Sequence, residues 1–296
     1  MMNAQKNRLY RDVAFLTALR PYRNYRNTES LEAVAAYIVE AFTASGLQVS
    51  LQKWIAAGRE YTNVIGRYKG DMPKRLIVGA HYDVCGDQPG ADDNGSAVGG
   101  LLETARLLGE HQPETDYGIE LVAYCLEEPP FFGTEKMGSY VHARSLFEEQ
   151  VAVVGMICYE MIGYFSDAPN SQPFPSAELA RRYPGTANFI IVVGIDRYDA
   201  FNKSVQKLMA DRAQIDVQVV SFPAETGATG LAGLSDQRNY WTFGYPALMI
   251  NDTSFVRNPH YHLASDTIDT LDFDKMREVV TGACHAITHL EVPTTA

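Results

Sequence analysis

The chain reads as a single α/β domain spanning residues 1–296, and three observations predict it. Short apolar runs of strand length alternate with segments of helical spacing along most of the 296 residues. Several of those runs, such as Phe189-Ile190-Ile191-Val192-Val193, are apolar at every position, as a strand is when both faces of its sheet are covered. No internal repeat, low-complexity tract or long linker divides the chain.

The elements follow in order. Leu31, Val34, Ala35, Ile38 and Phe42 recur at helical spacing, with Gly46 as the stop. Leu47, Val49 and Leu51 alternate with Gln48, Ser50 and Gln52, the pattern of a half-buried strand. Thr62 to Tyr68 and Arg75 to Ala80 read as two further strands around the turn Gly70-Asp71-Met72-Pro73. Gly95 to Leu108 is helical through Val98, Leu101, Leu102, Ala105 and Leu108. Strands return at Ile119 to Leu126, Val151 to Ile157, Phe189 to Val193, Val217 to Phe222 and Ala247 to Ile250. Helices cover Gly138 to Phe147, Ala200 to Ala210 and Phe273 to Leu290. The segment Phe165 to Ala187, rich in Pro, Ser and Asn, reads as an excursion near a binding cleft.

Composition excludes several classes. With 36 acidic against 25 basic residues the formal charge is -11, a field that repels a phosphate backbone, so nucleic acid is not an expected partner. No stretch approaches the ~20 apolar residues that cross a bilayer. The N-terminal segment alternates charged and apolar residues without a signal-peptide pattern, so the expected location is the cytoplasm. Cys85, Cys125, Cys158 and Cys284 form no CxxC pair and read as buried free thiols of a reducing compartment.

Five places carry chemistry, each at or just after an expected strand: His81-Tyr82-Asp83, Gly90-Ala91-Asp92-Asp93-Asn94, Glu127-Glu128, Glu160 and His262. Ligand sites of open α/β sheets gather at the carboxyl ends of strands, so the five can converge. His81 closes an apolar run, and Asp83, two residues on, is placed to accept its other ring N–H and fix the tautomer. Asp92-Asp93-Asn94-Gly95 suits a turn and helix cap as well as a bridging carboxylate. Glu127 and Glu128 end a buried strand, where two adjacent carboxylates repel unless cations or exposure relieve them. They point to opposite faces, so one can coordinate while the other serves as a general base. Glu160 sits among apolar residues and needs a partner, a salt bridge or a metal. His260 and His262 stand at i and i+2 in a loop. Together these form a mixed nitrogen and oxygen donor set suited to a pair of zinc ions.

These residues resemble the co-catalytic zinc aminopeptidases of peptidase family M28. The resemblance rests on Gly79-Ala80-His81-Tyr82-Asp83, Gly90-Ala91-Asp92-Asp93-Asn94-Gly95-Ser96, Leu126-Glu127-Glu128, Tyr159-Glu160-Met161-Ile162-Gly163, Ser235-Asp236, and Tyr261-His262 with Asp266-Thr267. It implies a three-layer α/β/α fold with a mixed, mainly parallel central sheet. It also implies two Zn2+ per chain, one held by His81, Asp92 and Glu160, the other by Asp92, Glu128 and His262. Asp92 would bridge, and an unusual cis peptide would join Asp92 to Asp93. Glu127 falls at the general base, Asp83 behind His81, and Tyr261 near the scissile carbonyl. The substrate would be a peptide or small aminoacyl compound.

Two departures bear on the substrate. Glu160 stands where aminopeptidases of the family commonly carry Asp, which leaves a carboxypeptidase or N-acyl amino acid hydrolase open. Gln237 replaces a His that often follows Ser-Asp. The remaining alternatives are a one-zinc glutaminyl cyclase and a scaffold that binds without catalysing, although all five ligands and the base are present.

Overall fold

A computed structural model describes residues 2–227 and 229–291. In chain order they form helices α1 (Lys6–Ala18) and α2 (Thr28–Ala44), strands β1 (Gln48–Ala56), β2 (Arg59–Tyr68) and β3 (Lys74–His81), helix α3 (Ala97–His111), strand β4 (Gly118–Tyr124), helix α4 (Gly138–Glu148), strand β5 (Ala152–Glu160) and helix α5 (Ala177–Arg182). Strand β6 (Phe189–Ile195), helix α6 (Asp199–Ala210), strand β7 (Asp216–Phe222), the one-turn α7 (Ala224–Gly227), helix α8 (Gln237–Thr242), strand β8 (Ala247–Asn251) and helix α9 (Phe273–His289) complete them. The expected strands and helices are all present.

The strands make one sheet in the order β1-β2-β4-β3-β5-β8-β6-β7. Its centre, β4, β3, β5 and β8, is parallel, while β2 and β6 flank that centre antiparallel. Side chains alternate between two apolar layers, as the strand period requires. Leu76, Val78, Ile190, Val192, Leu248 and Ile250 pack with Leu9, Ile38, Leu101, Val205 and Val280 of α1, α2, α3, α6 and α9. Ile77, Ile191, Val193 and Met249 face the other way, with Ala143 and Leu146 of α4 and Tyr240 and Trp241 of α8. Sequence runs that are apolar throughout are therefore strands covered on both faces, in the three-layer arrangement expected.

Helix α1 had no counterpart in the periodicity. It buries Leu9, Val13 and Leu16 on one side, but Asp12 lies on that same side, fully buried. Arg106 of α3 donates to Asp12 through Nη2 at 2.9 Å, and Tyr37 of α2 donates at 2.6 Å. A buried charge with such partners is tolerated, though the sequence shows it only as an interruption. Helices α2 and α3 approach closely at Gly109, where an added Cβ would stand 2.1 Å from the Ser45 carbonyl oxygen. All four cysteines are free; Cys125, Cys158 and Cys284 are buried as expected, and Cys85 is half-buried. No helix among the described residues is long and apolar enough to cross a membrane.

Candidate metal centre

The parallel order of β4, β3, β5 and β8 puts four strand ends side by side. His81 is the last residue of β3 and Glu160 the last of β5. Glu127 and Glu128 follow β4 after Cys125 and Leu126. His262 lies in the loop beyond β8, and Asp93 in the turn Ala91–Ser96 that opens α3. Among the described residues, donor atoms of His81, Asp93 and Glu160 lie within 4.8 Å of one another. So do those of His81, Glu127 and Glu128, and those of Cys85, Glu128 and His262.

The carboxylate that lies between the two histidines is that of Asp93, where the sequence pointed to Asp92. His81 Nε2 is 3.4 Å from Asp93 Oδ1, and His262 Nε2 is 3.0 Å from Asp93 Oδ2. Asp92 points away and is saturated there: Gly163 N donates to Oδ1 at 3.0 Å, Ser96 Oγ to Oδ1 at 3.1 Å and Asn258 Nδ2 to Oδ2 at 2.7 Å. Adjacent side chains leave this turn in different directions, and three buried donors draw Asp92 inward. The cis peptide joins Asp93 to Asn94 instead of Asp92 to Asp93.

The other candidates lie around the same point. Glu160 Oε2 lies 3.3 Å from His81 Nε2 and accepts from Ser235 Oγ at 2.6 Å. Glu128 Oε2 lies 3.4 Å from His262 Nε2. Glu127 Oε2 is 3.8 Å from His81 Nε2 and makes no closer approach to a histidine. Tyr261 stacks on His262 with ring centroids 3.8 Å apart, and burial holds its phenol protonated well above the usual range. Gln237 faces away from the acids; its Nε2 donates to the Ala232 carbonyl at 2.6 Å.

Asp83 stands behind His81, but its hydrogen bonds go elsewhere. The nearest oxygen to His81 Nδ1 is the Asp83 backbone carbonyl, at 3.2 Å, while the Asp83 carboxylate stands 3.7 Å away. That carboxylate instead accepts from the backbone N–H groups of Glu127 and Glu128, at 3.1 Å each. Asp266 repeats the device at the other turn, accepting from Asp92 N at 2.9 Å and Asp93 N at 3.1 Å. Arg23 ties the segment after β3 to the start of the Asp92-Asp93 turn. Fully buried, it donates to the carbonyls of Tyr82, Pro89 and Gly90. Ser235 and Asp266 stood in the motifs without a role, and Arg23 carried no sequence signal.

The electrostatics are those of a centre with too many acids for its protein cations. Burial pushes Glu127 well above the usual carboxylate range, opposed by His81, and lifts Glu128 to about 7. Burial opposes charge on His262, yet hydrogen bonds to Asp93 and Glu128 raise it to about 10. His81 rises likewise, against burial, through Glu160 and Glu127. Burial also opposes ionisation of Asp93, but His262 and His81 hold it below the usual range. Glu128 Oε1 has no hydrogen-bond partner among the described residues. Buried nitrogen and oxygen donors that converge with an unpartnered atom fit a divalent metal.

An apolar cavity opens from this centre. Glu160 and Tyr261 line its metal end, and Phe174, Tyr183, Val193, Phe222 and Met249 line its depth. Phe174 and Tyr183 come from the 165–187 excursion, which thus reaches the cleft as expected.

Several known proteins are similar to this chain. The chain is 42% identical to the uncharacterized protein YfbL of Escherichia coli (strain K12), over 95% of this chain and 87% of that one. It is 26% identical to a probable leucine aminopeptidase of Trichophyton verrucosum (strain HKI 0517), over 97% of this chain and 74% of the relative. The LapA aminopeptidase of Legionella pneumophila has the same fold, with a TM-score of 0.77 and 20% identity over 97% of this chain and 73% of that one. So does a glutaminyl cyclase of Bacteroides thetaiotaomicron, with a TM-score of 0.73 and 21% identity over 98% and 99%. The sequence profile of peptidase family M28 matches residues 63–287, well over half the chain and every residue of the centre, and the chain belongs to that family.

Proposed function

We propose that the protein is a di-zinc aminopeptidase that releases an apolar residue from the free amino end of a peptide. In this reading His81, Asp93 and Glu160 would hold one zinc, and Asp93, Glu128 and His262 would hold the other. A divalent pair there supplies Lewis acidity and a nucleophilic water at neutral pH. Glu127 takes the proton of that water and passes it to the leaving amine, a task suited to a carboxylate whose pKa is raised by burial. The protonated Tyr261 hydroxyl donates to the carbonyl oxygen as charge develops. Glu160, at the mouth of the apolar cavity, holds the substrate ammonium by charge-assisted hydrogen bonds while the cavity takes the first side chain.

The observation that carries this reading is one carboxylate, Asp93, shared between two histidine-containing donor groups, with Glu127 beside them. Family membership and the leucine aminopeptidase relative support it. The test couples elemental analysis of zinc-reconstituted protein to hydrolysis of a leucyl peptide with and without an N-acetyl group. Two zincs and cleavage of the free peptide alone are expected, with Glu127→Gln keeping both metals but losing turnover. Faster cleavage of the acetylated peptide sinks the aminopeptidase reading, and a ceiling of one metal shifts weight to a cyclase.

A further inference from the structure

The cleft has a cation beside it that forms no salt bridge within the described chain. Arg238 is the second residue of α8. Its guanidinium lies over the ring of Phe132, 4.9 Å from the centroid, and Nη1 stands 3.6 Å from where a Cβ on Gly133 would be. Phe132 and Gly133 belong to the loop that runs out of Glu127 and Glu128, so the guanidinium sits on the base's side of the cleft. The other partly or fully buried arginines are engaged. Arg67 and Arg75 meet Glu120, Arg106 meets Asp12, and Arg23 and Arg257 donate to carbonyls. Arg238 makes no salt bridge within 4.0 Å among the described residues. Half-burial lowers its pKa, and Glu127 is the carboxylate whose field opposes that.

A partly desolvated guanidinium held against an aromatic face is suited to an anion from outside the chain. The proposed function, on which this inference rests, says where such an anion would lie. Glu127 delivers its proton to the leaving amine, so the residue that carries that amine occupies the Glu127 side. In a dipeptide only one Cα separates that nitrogen from the carboxylate, about 3 Å in space. In a longer peptide a neutral amide takes that place, and the carboxylate moves roughly 3.5 Å further out per residue. We propose that Arg238 receives the α-carboxylate of the residue that carries the leaving amine, so that the preferred substrates are dipeptides with an apolar first residue.

The test compares Leu-Ala, Leu-Ala-amide and Leu-Ala-Ala on the zinc-loaded wild type, Arg238→Ala and Arg238→Lys. In the wild type, kcat/KM for Leu-Ala should exceed that for the amide by on the order of 10- to 100-fold, the size of a charge-assisted bond pair. The difference should lie in KM. The ratio should fall to within about threefold in Arg238→Ala and return in part in Arg238→Lys. Because each ratio is taken on one protein preparation, a poorly folded variant does not mimic the effect. Equal rates on all three peptides in the wild type, or an unchanged ratio in Arg238→Ala, overturns the carboxylate assignment and leaves the aminopeptidase standing. Failure of the wild type on all three overturns both.

Discussion

Replacing Asp83 by Asn removes one charge and almost no volume, yet it strikes the carboxylate that positions the Glu127-Glu128 turn. Asp83 is 1% exposed and each of its oxygens accepts one backbone N–H at 3.1 Å. An asparagine can keep one of these bonds through its oxygen, but its NH2 group then faces the second N–H. A hydrogen bond to a charged acceptor contributes about 1.5–3 kcal/mol, and a buried N–H left unsatisfied costs about 1–3 kcal/mol. The two overlap, so the net loss is about 2–4 kcal/mol, a large share of the 5–15 kcal/mol typical of a folded domain. Urea unfolding of chelator-treated protein reads this directly, because metal release cannot then contribute. The midpoint should fall with the slope unchanged. In zinc-loaded protein kcat should drop by about 100-fold, since a base displaced by about 1 Å loses that much. An Asp83→Asn variant within about 0.5 kcal/mol of wild type and with kcat inside about twofold would falsify the assignment of Asp83 as the clamp of this turn.

Two further outcomes follow from the centre. Asp93→Asn should lower the zinc content at both positions, while Asp92→Asn should retain two metals and lose stability; the reverse pattern in elemental analysis restores Asp92 as the bridge. Metal uptake should also release protons. His262 is raised to about 10 and His81 well above its ordinary value, so both imidazoles carry a proton at neutral pH, and Glu128, at about 7, carries roughly half of one. Ligation needs all three deprotonated, so apparent affinity should rise with pH from about 6 towards 10 and about two to three protons should leave per chain. Calorimetry in buffers of different ionisation enthalpy counts them, and a flat affinity from about pH 6 to 8 refutes the proton count.

How much of this was legible in the sequence depends on how local the cause is. Strands such as Phe189–Ile195 announced themselves because a residue covered on either face must be apolar at every position. Helix α1 stayed hidden because its Asp12 is satisfied by Tyr37 and Arg106, 25 and 94 positions away. The candidate ligands stood out as residue types at strand ends, but Asp92 and Asp93 are chemically identical neighbours. Which one turns outward is decided by Gly163 and Asn258, 71 and 166 positions distant. Asp83 was read as a partner of His81 because it is two residues away, whereas its donors come from the end of the neighbouring strand. Spacing sees only one chain segment at a time, and a buried carboxylate chooses among all the donors that packing brings to it.

The two carboxylate clamps also bear on the order in which the protein becomes competent during synthesis. Asp266 grips amides that left the ribosome 174 and 173 residues earlier. A nascent chain that has emerged only as far as β8 has all the central strands, His81, both glutamates of the β4 turn and Glu160. It lacks His262 and the clamp that aims Asp93. If the centre holds the metals proposed above, their capture should wait until Asp266 has been made, and a chain that stops short of it should hold them weakly. Late closure of this kind keeps a hydrolytic centre idle until the fold that confines it is finished. A chain truncated before Asp266 should retain most of the sheet yet bind zinc far more weakly than the full chain; equal affinity would show that the clamp is dispensable.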